Sequence, residues 1–248
     1  MNGALAAVGL APGLVLGSFL NVVAARVPLR RSVVRPGSAC MSCAAPIAWY
    51  DNVPLVSYLA LRGRCRHCAA RIPLRYPAVE LATGALVAGC LLAFGFTAYA
   101  LLAAAWCAVL VALAAIDLEH RIVPNRVVLP AAAAVLAART LIDPSPEWVL
   151  GAVGASAFLL AAALVHPAGM GMGDVKLALL LGAMLGRDVA VGMMVGMLAA
   201  LVPSVFLLAR HGTAARKIGL PFAPFLAFGA IVALFAGEQL LDAYLSFF

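Results

Sequence analysis

Between Leu81 and Ile116 the chain runs 36 residues without a charged side chain. One helix of that length would reach about 54 Å, against a bilayer core of about 30 Å. The run is therefore read as two membrane spans, 78–94 and 98–116, that turn at Gly95-Phe96-Thr97. Other largely apolar stretches place further spans at 5–25, 127–142, 148–165, 189–209 and 220–240. The stretch after Gly173 is short: Leu177 to Gly186 gives only ten uncharged residues. A span there must take in Asp174 to Lys176 or be re-entrant. Only 11% of all residues are charged, against roughly 25% in soluble domains. The expected fold is an all-α polytopic membrane protein of about eight transmembrane helices.

The first 25 residues carry no charge, and the basic residues come after them. A cleaved signal peptide has its basic residues first, so residues 1–25 read as a retained span. From Arg26 to Arg75 the composition changes, with nine arginines, one acid, four cysteines and five prolines. Residues 26–77 are expected to be a small polar domain between spans one and two, and residues 78–248 a membrane core. If all eight spans cross and this domain is cytoplasmic, 15 of the 17 Lys and Arg residues face the cytoplasm. Only Arg139 and Arg187 then face outward, and both chain ends lie outside. That asymmetry follows the positive-inside rule. Arg126 and Arg139 are expected to snorkel at the ends of the fourth span. The net charge of +7 is spent on topology and does not indicate nucleic acid.

Cys40-x-x-Cys43 and Cys65-x-x-Cys68 are 21 residues apart, a spacing that suits a tetrahedral four-thiolate zinc site. Such a site has no open position, so zinc would be structural. Arg62, Arg64 and Arg66 lie where they could offset its negative charge. His67 reads as a bystander, and Cys90 and Cys107 as small core residues.

Two carboxylates stand at the ends of uncharged runs. Asp174 follows 26 such residues, Trp148 to Gly173, within Gly169 to Lys176 (G-M-G-M-G-D-V-K), and Asp117 closes the run from Leu81. A carboxylate in such a place is costly and is by default a functional site. Two that share a site hold a proton between them and can serve as acid and base together, which suits attack of water on an amide. The bland alternative has each capping a helix, partnered by Arg121 or Lys176. On spacing alone Glu119 competes with Asp117.

Gly171-Met172-Gly173-Asp174 resembles the GxGD motif of intramembrane aspartyl proteases. The longer string Gly171 to Leu177 (G-M-G-D-V-K-L) is similar to the type IV prepilin peptidases. So are Gly17 to Pro28, the two CxxC pairs, Trp49 to Pro54, Arg75 to Glu80, Asp117 to Asn125 (D-L-E-H-R-I-V-P-N) and Pro221 to Ala227. The resemblance selects Asp117 over Glu119 and implies Asp117 and Asp174 as the catalytic pair, with Gly171, Gly173 and Lys176 supporting the motif. Two positions depart from the family pattern: Asn125 stands in place of Asp, and Ala223 in place of Gly. Neither is expected to touch the pair.

The resemblance implies a bifunctional enzyme of the bacterial inner membrane. It would cut the leader from prepilins and pseudopilins at the cytoplasmic face, then methylate the new N-terminal residue with S-adenosylmethionine. Glu80 and the Trp49 to Asn52 stretch are candidates for binding that donor. The partners are then prepilins and the bilayer, with no nucleic acid. Two rival readings are a transporter with a zinc-bearing domain and a secretion-system scaffold.

Overall fold

The computed structural model describes residues 2–166, 170–212 and 219–246. Gly169, at the start of the glycine-rich string, and Arg216 and Lys217, two of the 15 basic residues counted as cytoplasmic, lie outside the described residues. Among the described residues the chain is helical: α1 (Asn2–Arg26), α2 (Val56–Ala60), α3 (Arg75–Phe94), α4 (Ala98–His120), α5 (Asn125–Ile142), α6 (Glu147–Val165), α7 (Met172–Leu185), α8 (Val189–His211) and α9 (Ala223–Leu245). No strand forms among them; two isolated antiparallel bridges lie in the cysteine-bearing segment. In lipid a helix satisfies all its backbone groups internally, which is why uncharged runs map onto helices so closely.

Seven stretches among the described residues are long and apolar enough to cross a membrane. The sequence reading expected about eight. The difference lies in Met172–Arg210, a single 39-residue stretch by composition. A 3₁₀ turn at Gly186–Asp188, with Gly186 at φ 57°, divides it into α7 and α8. α7 takes in Asp174 to Lys176, the first of the two options for that short stretch, yet its 14 residues reach only about 21 Å. The turn at 95–97 forms as expected. Gly95 has φ 70°, and the Thr97 hydroxyl accepts the Ala100 N–H at 3.1 Å.

By internal packing the chain divides into two compact units, Met1–Ile116 and Asp117–Phe248. In the first, α1 and α3 lie backbone to backbone. A Cβ on Gly9 would fall 2.7 Å from Ala88 Cα, one on Gly13 2.8 Å from Gly84 Cα, and one on Gly17 2.7 Å from Glu80 Cα. Each step of four along α1 is a step of four back along α3, so the helices are antiparallel in one fixed register. Asn21 continues it, its Nδ2 donating to the Tyr76 carbonyl at 3.1 Å. Leu20 of α1 packs with Ala108 and Ala112 of α4, flanked by Val79 and Val111. Apolar surface gains little by leaving lipid for another helix, so small residues that admit close contact are what hold such pairs.

The second unit uses the same device twice. Gly182 of α7 sits on the Gly151 carbonyl of α6, and Gly229 of α9 nests between Gly192 and Gly196 of α8. Arg139 does not snorkel as expected. It is buried, with its Cζ 3.6 Å from the ring centroid of Trp148. The Trp148 indole N–H donates to the Asp143 carbonyl at 2.7 Å, holding the ring where a guanidinium can stack.

These contacts separate two glycines of α6. A Cβ on Gly151 would fall 2.6 Å from the Gly186 carbonyl oxygen, whereas one on Gly154 meets nothing within 4 Å. Gly151→Ala should therefore lose about 1–3 kcal/mol of stability by overpacking. Gly154→Ala should leave stability unchanged or raise it. Thermal unfolding of the two purified variants in one detergent checks the difference; equal midpoints would refute it.

Candidate active site

Asp117 lies in the last turn of α4 rather than in a polar connection after it, and it is 6% exposed. The helix closes on it: the Arg121 N–H donates to the Asp117 carbonyl at 2.9 Å, and Arg121 turns the chain with φ 54°. Two residues later Val123 lies against Gly173, whose Cβ would fall 3.0 Å from the Val123 Cβ. Pro124 then opens α5 in extended geometry. The spacing from Asp117 to Val123-Pro124 is thus one helical ending, one left-handed residue and one contact.

The carboxylate of Asp117 needs donors at this depth and finds them on the chain leading into α9. Its Oδ2 accepts the Ala223 N–H at 3.0 Å, and the Phe222 N–H also donates to the carboxylate. These are among the first amides of a helix, which have no partner inside it. The expectation that Ala223 would not touch the pair is therefore wrong. The contact runs through its backbone, which any residue but proline could offer. The side chain at 223 is fully buried.

Asp174 stands in the first turn of α7, its N–H on the Gly171 carbonyl at 3.1 Å. The Gly171 N–H donates to its carboxylate. The two motif glycines have different reasons. Gly173 leaves room for Val123, while a Cβ on Gly171 would meet the Asp174 Oδ2 at 3.8 Å and the Gly173 N at 3.9 Å. Gly171 therefore keeps the approach to the carboxylate open. The carboxylates of Asp117 and Asp174 lie within electrostatic reach of each other, and the Arg121 guanidinium within reach of Asp117. Lys176 pairs with neither aspartate. Its Nζ donates to the Asn125 Oδ1 at 2.9 Å, joining α7 to the start of α5. Glu119 is exposed.

The four cysteines of the first unit form a second centre. Their sulfurs all lie within 4.8 Å of one another, with Cys40 Sγ and Cys68 Sγ 3.8 Å apart. Four sulfurs at about 2.3 Å from one tetrahedral ion stand about 3.8 Å apart, so the cluster is sized to hold a metal. Two copies of one loop build it. Cys40 N–H donates to the Ala45 carbonyl at 2.9 Å and Ala44 N–H to the Cys40 carbonyl at 3.0 Å. Cys65, Ala70 and Ala69 repeat both bonds at the same lengths. Ala44 and Ala69 take φ of 56° and 54°. The bridges Ala39–Pro46 and Arg64–Arg71 close the two loops.

The amides of Cys43 and Ser42 pull the Cys40 thiol down to about 6. At Cys68 the Ala70 amide pulls down, but burial and the three neighbouring thiols together push the group up to about 11. The cluster thus mixes a ready thiolate with a reluctant one, and metal binding must displace the proton of the latter. Arg66 does not serve as a counter-charge to the sulfurs as expected. It grips Asp51 with two bonds of 2.7 and 2.6 Å and lies over Tyr50. His67 is not among the ligands.

Glu80 belongs to the first unit, where its Oε2 accepts the Leu55 N–H at 2.9 Å. Leu55 takes φ 59° and ψ −46°, a sparsely populated conformation that costs a side-chain-bearing residue about 1–3 kcal/mol. Glu80 helps to hold it there.

Fold and site define a polytopic helical membrane protein with a paired-aspartate centre in one unit and a four-thiol centre in the other. Residues 12–94 match the bacterial peptidase A24 N-terminal domain, and residues 104–233 match the type IV leader peptidase family. The chain belongs to the type IV leader peptidase family. Its relatives include three proteins named prepilin leader peptidase/N-methyltransferase. That of Bacillus subtilis (strain 168) is 35% identical over 246 residues, 94% of this chain and 95% of the relative. That of Pseudomonas aeruginosa is 36% identical, covering 95% and 91%. That of Burkholderia pseudomallei (strain 1026b) is 38% identical, covering 91% and 83%. No solved structure matches the chain.

The Asp51–Arg66 pair fixes a pH dependence. The Arg66 guanidinium holds the Asp51 carboxyl below the usual carboxylate range. A folded value below the unfolded one means that the pair's contribution is present above the unfolded pKa. It is lost as pH falls through the folded value. Carbon NMR of the Asp51 carboxyl should show it titrating below the ordinary value of roughly 3.9, and Arg66→Gln should return it to that range. A carboxyl that titrates alike in both proteins would refute the pairing.

Proposed function

We propose that this protein cleaves the leader peptide of prepilins and pseudopilins and then methylates the N-terminal amine so released. The observation that carries the cleavage half is the setting of Asp117. It is almost fully buried, aimed by two backbone amides, and within electrostatic reach of Asp174. Membership of the leader peptidase family and the names of the relatives support both halves. They give no support to a transporter or a scaffold.

In cleavage, one carboxylate takes a proton from water as the water oxygen bonds to the scissile carbonyl carbon. The other carboxyl, protonated, gives its proton to the departing amine as the C–N bond breaks. The pair ends with its proton moved across, ready to exchange it with solvent. The Ala223 and Phe222 amides hold Asp117 in place throughout, and Gly171 leaves the approach to Asp174 open. S-adenosylmethionine, when bound, supplies an electrophilic methyl group to the amine. The chain must hold that amine neutral and in line.

The metal of the four-thiolate centre is proposed to be zinc, held by Cys40, Cys43, Cys65 and Cys68. The clustering of the four sulfurs within 4.8 Å of one another supports the fit, and four ligands leave no open position, so the ion would stabilise the segment around it. The boundaries 1–25, 26–77 and 78–248 remain our division into first span, zinc domain and protease core. The positive-inside count supports a cytoplasmic zinc domain and cytoplasmic aspartates, with both termini outside, in a bacterial inner membrane.

Asp117→Asn and Asp174→Asn should each reduce cleavage of a prepilin by about 10²–10⁴-fold or more, the usual contribution of acid–base groups, while inserting and folding as before. A gel assay in detergent reads this. Cleavage at the wild-type rate by either variant would sink the assignment. The double variant should still methylate a synthetic pilin that already lacks its leader.

Metal analysis of the purified protein should return about one zinc per chain. Cys40→Ser should lower that content and loosen residues 26–77 to protease without unfolding the spans. Full zinc content after removal of both Cys40 and Cys65 would contradict the site.

A further inference from the structure

Within the first unit, α1, α3 and the segment between them enclose a cavity of about 260 Å³. That lies near the lower edge of the ~300–1,000 Å³ typical of ligand cavities. It admits one small molecule and not a folded peptide segment. Its wall brings together the two regions that the sequence left as separate candidates, Glu80 and the 49–52 turn, the latter through Asp51 and Asn52. Asn21, Tyr58 and Tyr76 complete the part of the wall that matters here.

The charges on this wall do not balance locally. Two carboxylates line it. Asp51 is neutralised by the bidentate Arg66. Glu80 accepts one backbone N–H, from Leu55, and among the described residues no cation is paired with it. One neutral donor leaves its charge in place. A carboxylate set in a partly enclosed, low-dielectric wall attracts a cation more strongly than one in water. Elsewhere the wall carries the opposite charge on Arg71 and on the Arg26 guanidinium, the latter held by the Ser32 and Gly37 carbonyls at 3.1 Å each. The tyrosines add flat faces on which an aromatic base can stack. One carboxylate without a paired cation, the guanidiniums of Arg26 and Arg71, and aromatic faces suit a small molecule with a cationic centre, a carboxylate and a heteroaromatic ring.

We propose that this cavity is the methyl-donor site, and that Glu80 faces the positively charged sulfonium of S-adenosylmethionine. The assignment rests on the methyl-transfer half of the proposed function. In that step the bond from the methyl carbon to sulfur breaks, and its electron pair stays on sulfur. The lone pair of the neutral amine forms the new N–C bond, and the resulting ammonium passes one proton to water. Glu80 contacts the donor and not the proton: it binds the cation that the reaction discharges. The cavity is also lined by Cys40 and Cys65, so the metal centre shapes one wall, and loss of metal should weaken donor binding.

The test is binding to the full-length protein in detergent, with S-adenosylmethionine and S-adenosylhomocysteine as probes. The two differ in one methyl group and in the sulfonium charge. Glu80→Gln keeps an oxygen for the Leu55 N–H but removes the charge. It should weaken S-adenosylmethionine by about tenfold or more, the loss of a desolvated charge contact, and change S-adenosylhomocysteine little. Val22→Trp, which fills the cavity from α1, should abolish binding of both. Photolabelling of the wild-type protein with an azido-adenosine analogue, read by mass spectrometry, needs no variant to fold. It should mark peptides containing Tyr58 or Tyr76. Labels confined to residues 117–248 would overturn the site. So would undiminished binding by a folded Val22→Trp protein. Equal loss of the two probes in Glu80→Gln would overturn the role of Glu80. In each case wild-type methylation of a pre-cut pilin would still uphold the proposed function. If the wild type binds neither probe and transfers no methyl group, that function fails and this inference with it.

Discussion

A carboxylate held among apolar helices must be given hydrogen-bond donors, and much of the second unit is arranged to supply them to Asp117. A buried polar group left unsatisfied costs about 1–3 kcal/mol, and more if charged. Asp117 avoids this through the amides of Phe222 and Ala223, 106 residues further along the chain. The helix-capping alternative is thus partly true, since Asp117 does close the start of α9. Yet a cap is ordinarily supplied by the residue that opens the helix itself. A cap brought from so far, buried to 6% and facing a second carboxylate, serves more than the helix it closes. The Ala223 amide fixes Oδ2.

The glycines make that precision possible. α6 and α7, like α8 and α9, meet through glycines with no side chain between them. Such contacts admit few registers, because any slide brings a side chain against a backbone. α7 therefore sits at a set height, and Asp174 in its first turn with it. Gly173 brings the loop after α4 against α7 through Val123, which ties the position of Asp174 to that of Asp117.

The helix boundaries were legible because lipid leaves the backbone one choice, so charge-free runs and helices nearly coincide. The aspartates were legible because a charge at the end of such a run is expensive. The four cysteines were legible by spacing alone. The donors to Asp117 were not, because a backbone amide carries no signature in a side-chain alphabet; proline at 223 would have excluded the contact, but no residue could announce it. Arg139 at a helix end reads equally well as reaching for water or turning inward, and only the Trp148 ring six residues beyond the helix decides it. The register of α1 against α3 was written in Gly9, Gly13 and Gly17, and the small-xxx-small rule would have found it. The repeated loop around the cysteines was likewise present as Cys-x-x-Cys-Ala-Ala, although two alanines at positive φ gave no warning of themselves.

The two chemistries draw on different physical resources, and the sites proposed for them lie in different units. Amide cleavage needs two carboxylates whose protons are coupled, which requires close, rigid packing and little water. The glycine contacts of the second unit provide that packing. Methyl transfer needs a pocket for a small charged molecule and an amine free of its proton, which requires polar walls. A short segment rich in arginine, with four thiolates to hold it together, can build such walls where it has too little apolar surface for a core of its own. A metal bound there would stand in for the hydrophobic burial that fifty residues cannot supply. A use for a metal thus follows from the smallness and polarity of the segment, and the polarity suits the donor proposed to bind there.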